Sequence, residues 1–283
     1  MVRIKTQQAE LEVETYGRRD DSPMLLIEGL GGQLISWNEK FVRSLAARNF
    51  FVIRFDNRDS GLSTKFVNKG NNEDKYTIEN MADDASQLLD RLGVTQSHVV
   101  GVSMGGMIAQ ALTIRHPNQV MSLCSIMSTT GEKGVGMPHE QGYNVLSLKP
   151  PTTREEIIEY KVTTSKMISS PGYDFDEEYH RDLATREYER SYEPDGLIRQ
   201  LMAILVSEDR TESLKQVSVP TAVIHGDSDP LVDVSGGIAT SKAVKNSTLH
   251  ILKGMGHDLP QPLWGEIIDI IAQNASRAQD NFS

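Results

Sequence analysis

Gly101-Val102-Ser103-Met104-Gly105 sets a serine between two glycines, after the apolar pair Val99 and Val100 and ahead of the amphipathic run Met107, Ile108, Ala111, Leu112. The order reads as strand, tight turn and helix with the serine at the apex. Its hydroxyl then stands clear of the sheet, and the glycines leave room for close packing of backbone and helix. The N–H of Met104, next in the chain, points toward the place where an oxyanion would form. A serine hydroxyl is a poor nucleophile at neutral pH. It needs a base to take its proton during attack and hand it to the leaving group, which suits an imidazole with a pKa of about 6.5. His257, in the turn Gly254-Met255-Gly256-His257, is the candidate base. A buried carboxylate is then required to fix the imidazole's tautomer and steady its charged form. Asp227, Asp229 and Asp233 all qualify, and spacing does not separate them. Pro230 favours Asp229, because it fixes the chain just beyond that side chain, and Asp227 comes next.

These groups are distant in the chain, so the elements between them must bring them together. Leu11 to Tyr16 alternates as a half-solvated strand does, and Met24 to Ile27 and Phe50 to Phe55 read as buried strands around a helix from Trp37 to Arg48. Strand, helix, strand at this length implies a right-handed parallel crossover. Glu28-Gly29-Leu30-Gly31-Gly32 is either a loop whose amides approach a ligand closely or a plain turn. Asp56 to Ser63 is read as a rim of the site or as a hydrogen-bonded turn bracing its neighbour. Asn68 to Asp74 is a polar excursion read as a mobile surface loop. A helix is expected over Ile78 to Leu92, then the strand from His98, the helix to about Arg115 and a buried strand from Val120 to Met127.

From Ser128 to about Leu214 the alternation stops. Helix-like stretches at Thr153 to Ile168, Asp176 to Tyr192 and Asp195 to Val206 are punctuated by prolines. We expect residues 1–128 and 215–283 to form one α/β domain and 129–214 a helical cap inserted into it. The apolar cap residues Ile157, Tyr160, Met167, Leu197, Leu201, Met202 and Leu205 are expected to face the site or the core. Methionines in such a lid suit a bulky, mainly apolar ligand. The alternation resumes with the strand Thr221 to His225, a helix from Gly236 to Val244, the strand Thr248 to Leu252 and a last helix from Leu263 to Ala275. Ser276 to Ser283 reads as a disordered tail. In an open parallel sheet all the loops in question lie at the carboxyl edge, so Ser103, an aspartate near 229 and His257 can converge.

The totals narrow the function classes. A formal net charge of −10 with scattered Lys and Arg argues against a nucleic-acid partner. The single cysteine, Cys124, lies in an apolar run and reads as a small buried hydrophobe. No stretch approaches the roughly 18 apolar residues of a membrane span, and Met1 to Glu10 lacks a signal-like apolar segment, so no membrane partner and a cytoplasmic location are expected. The six histidines besides His257 show no metal-ligand spacing, and GLGGQL lacks both a phosphate-loop lysine and dinucleotide spacing.

The segments EGLGG, RFDNRDSGLS, GVSMGG, HGDSDPLV and GMGH, in that order between residues 28 and 257, resemble the α/β-hydrolase superfamily. Within it the chain is most similar to capped esterases of the aclacinomycin methylesterase type, several of which act on polyketide or macrolide esters and lactones. The resemblance implies a mostly parallel central sheet flanked by helices, with a helical cap. It implies Ser103 as nucleophile, Asp229 as acid, His257 as base, and the backbone N–H groups of Leu30 and Met104 as the oxyanion hole. No cofactor and no metal are expected; the partners are a small-molecule ester or lactone and water. The expected activity is carboxylic-ester hydrolysis through an acyl-enzyme on a bulky, largely apolar molecule, macrolactones among the candidates. The alternatives are a non-hydrolytic receptor on the same fold, or the same triad serving acyl transfer, carbon–carbon cleavage or perhydrolysis. Glu28 departs from the family pattern, which carries histidine or an apolar residue there. An ionised carboxylate aimed at the hole would oppose the charge that catalysis must stabilise, so its side chain is expected to turn away and bond to backbone or hydroxyl groups.

Overall fold

The computed structural model describes residues 2–66, 75–149 and 151–279. The short apolar runs build eight strands: β1 (Val2–Lys5), β2 (Glu10–Tyr16), β3 (Ser22–Ile27), β4 (Phe50–Phe55), β5 (Ser97–Val102), β6 (Val120–Ile126), β7 (Thr221–Gly226) and β8 (Ser247–Leu252). They form one sheet in the order β1-β2-β4-β3-β5-β6-β7-β8. The β1/β2 and β2/β4 pairs are antiparallel and all others parallel. Six parallel strands place their carboxyl ends at one edge, with β5 central among them.

Between the strands lie α1 (Glu39–Ala46), α2 (Ile78–Arg91), α3 (Met104–Arg115), α4 (Glu140–Ser147), α5 (Arg154–Ile168), α6 (Glu177–Arg190), α7 (Pro194–Leu205), α8 (Thr211–Leu214), α9 (Ser235–Ala243) and α10 (Trp264–Gln279). Alternate strand residues divide between the two faces. Leu25, Ile27, Ile53, Phe55 and Val99 pack with α2 and α3, whereas Met24, Leu26, Val52, Val100, Val102 and Ile126 pack with α1 and α10. Strands buried on both faces read as continuous apolar runs, which is why β3, β4 and β5 are legible from composition.

Four helices, α4 to α7, leave the sheet between β6 and β7. Leu214 and Val217, at and just after α8, pack with Ala243 and Val244 and against Ile114 of α3. Three expectations are corrected. β1 adds an edge strand before the first expected one; its residues are largely exposed, so no alternation marks it. α4 was not expected, since Gly142 is its one buried residue and no apolar stripe announces it. α10 continues through Gln279, so Ser276 to Gln279 are helical. The expected loop Asn68 to Asp74 and the end of the expected tail, 280–283, lie outside the described residues. Among the described residues no helix is long and apolar enough to cross a membrane.

Candidate active site

The turn from β5 into α3 holds Ser103 at φ 54° and ψ −121°, a conformation that costs a non-glycine residue about 1–3 kcal/mol. Its surroundings impose it. A Cβ on residue 101 would come within 2.0 Å of the Gly105 carbonyl oxygen, and one on residue 105 within 2.1 Å of the Ile27 carbonyl oxygen. Only glycines let β5, α3 and the end of β3 approach so closely.

His257 Nε2 lies 2.9 Å from Ser103 Oγ, and His257 Nδ1 lies 2.7 Å from Asp229 Oδ2. A carboxylate can only accept, so the ring proton sits on Nδ1 and Nε2 accepts from the serine hydroxyl. Asp229 is 2% exposed, and its Oδ1 accepts from the N–H groups of Leu231 (2.8 Å) and Val232 (2.9 Å). Burial alone would raise its pKa. Instead His257, with its hydrogen bond, and the nearby His225 ring hold the carboxyl well below the usual carboxylate range. His225 Nε2 is 3.4 Å from Asp229 Oδ2 and 2.8 Å from the Val232 carbonyl, so its proton goes to the carbonyl and its ring backs the carboxylate.

The other two aspartates face elsewhere. Asp227 Oδ1 accepts from Gly254 N–H at 2.7 Å, and Asp233 Oδ2 lies 2.9 Å from His139 Nε2.

The loop after β3 runs against the serine: a Cβ on residue 29 would be 3.1 Å from Ser103 Cβ. Its N–H groups are committed in turn, Gly29 to Glu28 Oε2 (3.0 Å), Gly31 to Gln200 Oε1 (2.8 Å) and Gly32 to the Gly29 carbonyl (3.2 Å). Leu30 N–H, like Met104 N–H at the start of α3, donates to no acceptor among the described residues. Glu28 does bond to backbone, through Gly29, and burial pushes its carboxyl up to about 8.

The loop after β4 both braces and anchors. Asn57 Nδ2 donates to the Glu28 carbonyl (3.0 Å), and Asp56 Oδ1 accepts from Leu34 N–H (2.7 Å). Asp56 and Asp59 are also where the inserted helices are fastened. Arg190 of α6 reaches Asp56 at 2.7 Å, and Arg199 of α7 holds both oxygens of Asp59 at 2.9 and 2.8 Å. Gln200, fully buried, donates to the Arg58 carbonyl (2.8 Å) and Ser60 Oγ (3.0 Å) while accepting from Gly31. Sequence patterns missed Arg190, Arg199 and Gln200. The signal for two of them was indirect, since two aspartates in one apolar-flanked loop demand cations from elsewhere.

The expected inward face of α7 is also corrected. Met202 and Leu205 are exposed, whereas Gly196, Gln200 and Ala203 are the buried residues. Of the other residues expected to face inward, Ile157 is buried, and Tyr160, Met167, Leu197 and Leu201 are half-buried.

A cavity of ≈ 480 Å³ has Glu28, Val102 and Asp258 in its wall, of which Val102 and Asp258 directly neighbour Ser103 and His257 in sequence; Ser103 and His257 do not themselves line it. Trp37, Phe41, Tyr173, Phe175, Tyr179 and Trp264 are its aromatic lining residues. Among the described residues no group of three or more His, Cys, Asp or Glu side chains is placed to hold a metal ion.

A family profile described as the alpha/beta hydrolase fold matches residues 22–260. The chain is 27% identical over 278 residues to rhodomycin D methylesterase DnrP of Streptomyces peucetius, covering 91% of this chain and 92% of that one. It is 26% identical over 258 residues to 3-oxoadipate enol-lactonase 2 of Acinetobacter baylyi, covering 88% and 87%. In three dimensions it resembles the enol-lactonase of Burkholderia xenovorans with a TM-score of 0.78 at 19% identity, over 97% of this chain and 100% of that one.

Proposed function

The chain belongs to the alpha/beta hydrolase family, and from that premise we propose that it is a serine hydrolase that cleaves a carboxylic ester or lactone of a bulky, largely apolar small molecule. The hydrogen-bonded line from Ser103 through His257 to Asp229, at 2.9 and 2.7 Å, carries this reading.

In the proposed reaction Ser103 Oγ attacks the ester carbonyl as His257 Nε2 takes its proton. Asp229 stabilises the imidazolium, and the uncommitted N–H groups of Leu30 and Met104 receive the oxyanion. The alcohol departs with the proton from His257, leaving an acyl-enzyme. Water, deprotonated by the same imidazole, then releases the acid. Residues 129–214 act as the cap over this site. The aromatic cavity wall supports an apolar substrate, and the likeness to a methylesterase and an enol-lactonase supports ester or lactone chemistry.

Hydrolysis read by mass over methyl esters, simple acyl esters and polyketide or macrolide lactones tests the substrate class. A gain of one water with no fragment lost marks lactone opening. Ser103→Ala should abolish turnover and labelling by a serine-directed phosphonate; a variant hydrolysing a chromogenic ester at the wild-type rate sinks the proposal.

A further inference from the structure

Glu28 is 8% exposed and its place is built. Asn57 fixes its carbonyl, Gly29 N–H fixes its Oε2, and Gly32 leaves the space in which a Cβ would come within 2.7 Å of that oxygen. Oε1 has no hydrogen-bond partner among the described residues, and it is not sealed off from solvent, for Glu28 forms part of the cavity wall. The mechanism above makes no use of this group.

Its surroundings decide its protonation. Glu187 on α6 and Asp56 after β4 are both negative neighbours, and Arg54 on β4 is the cation that opposes them. Arg54 is already held by Glu14, at 3.0 and 2.5 Å, and by the Trp37 carbonyl. Across the cavity stand Lys40 of α1, Asp174, Asp176, Tyr179 and His180 at and before α6, and Asp258 after His257. Burial keeps His180 below its usual range and Tyr179 and Asp258 above theirs, so these three favour their neutral forms more than usual. Burial above all pushes this carboxyl toward its protonated form; its anionic neighbours have cations of their own, Lys161 on Glu187 and Arg190 on Asp56, and Lys40 stands exposed across the cavity. Because Oε2 accepts from Gly29, the proton resides on Oε1, toward the cavity.

We propose that Glu28 determines substrate specificity as a neutral carboxylic acid, donating a hydrogen bond from Oε1 to an ether, hydroxyl or carbonyl oxygen of the bound substrate. This rests on the ester-hydrolase reading and adds to it a substrate class: apolar esters or lactones carrying an acceptor oxygen away from the scissile bond. The neutral form also leaves the neighbouring oxyanion hole unopposed, which an ionised Glu28 would not. Since its carboxyl is pushed up to about 8, the donor is present below that pH and lost above it.

The test compares kcat/KM for 4-nitrophenyl octanoate with that for its analogue bearing ether oxygens in place of carbons 3 and 6, at pH 6.5 and 9.0. The ratio of the two cancels effects common to all esters, including any change in the oxyanion hole. In the wild type the preference for the ether substrate should fall about tenfold between the two pH values, following loss of the neutral acid one unit above its pKa. Glu28→Gln, whose amide accepts from Gly29 and donates in place of the acid, should keep the pH 6.5 preference within about threefold and lose its pH dependence. Glu28→Leu should lower the preference at least tenfold at pH 6.5. A preference independent of pH in the wild type, or lost in Glu28→Gln as fully as in Glu28→Leu, overturns the inference. Because the wild-type pH arm and Glu28→Gln stand without it, a Glu28→Leu variant that fails to fold leaves the test intact. Phosphonate labelling of wild-type Ser103 separates the two proposals: absence of labelling fails the hydrolase reading, whereas labelling with an unresponsive preference fails only the role of Glu28.

Discussion

Two carboxyls sit at the same sheet edge, one on each side of β5. Asp229 follows β7, and Glu28 follows β3. Both are largely buried, at 2% and 8% exposure, yet their pKa values are pushed in opposite directions. Asp229 meets two imidazoles and two backbone N–H groups, and stays ionised. Glu28 meets one N–H group and two anionic neighbours, and its carboxyl is pushed up to about 8. Burial is common to both, so the donors and charges around each group decide the outcome. The loops differ in support as well. The β7 loop is tied to the sheet's own continuation, through Asp227 N–H to the Leu252 carbonyl and Ser228 N–H to the Met255 carbonyl. It is also tied to the residue that caps α4, through His139 N–H to the Pro230 carbonyl and His139 Nε2 to Asp233 Oδ2, but among the described residues not to α6 or α7. The β3 loop is tied to the inserted helices, through Gly31 and Gln200 and through Gln33 Nε2 to the Glu187 and Ser191 carbonyls.

Exchanging carboxyl for amide at each position breaks this symmetry most sharply. Asp229→Asn removes the charge that steadies the imidazolium and lets His257 adopt the wrong tautomer, so kcat should fall about 10⁴-fold. Glu28→Gln should change kcat on a simple chromogenic ester less than about threefold at pH 6.5. Equal losses in steady-state assays would show that the two groups do the same work.

Stability against pH gives the next largest effect. Glu28 rises from an ordinary 4.5 to about 8 in the fold, so the native state holds its proton after the unfolded chain has released one. The stability it contributes is full below 4.5 and is lost as pH rises through 8. Between these limits the wild type should lose about 3–5 kcal/mol relative to Glu28→Gln, which does not titrate. Asp229, lowered in the fold, acts in the opposite sense, its contribution present above the ordinary carboxylate range and lost on acidification. Denaturant melts of wild type and Glu28→Gln from pH 4 to pH 9 check the sign; parallel curves would mean that Glu28 binds protons in the fold as it does in the unfolded chain.

The contrast also marks how far the chain can be read without coordinates. The serine turn, the strand alternation and the carboxyl-edge convergence were legible, because glycine spacing and doubly buried runs are local signals. Choosing among Asp227, Asp229 and Asp233 depended on side-chain direction, which spacing does not encode beyond the hint of Pro230. The face of α7 was misread for a different reason. Hydrophobicity pointed Met202 and Leu205 inward, but Gln200 makes three hydrogen bonds on the opposite side, and Gly196 lets the helix approach within a Cβ's distance of the Asp59 carbonyl. Buried polar pairing is a tertiary property, and it rotated the helix against its apolar content. Edge elements such as β1 and α4 bury too little to leave a pattern.

Gln200 therefore supplies the smallest and most selective probe of the difference in loop support. Gln200→Leu conserves bulk but leaves without partners the half-buried Gly31 N–H and the buried Arg58 carbonyl. Leaving such groups unsatisfied costs about 1–3 kcal/mol apiece, partly recovered where water enters, so denaturant unfolding should register a loss of about 1–3 kcal/mol overall. The consequence for turnover should be confined to the β3 loop. With Leu30 no longer held in register, oxyanion stabilisation weakens and kcat falls about tenfold, while the kcat/KM pH profile keeps its wild-type shape. A shifted pH profile would mean that α7 supports the β7 loop too, and that the two sides of β5 are not independently built.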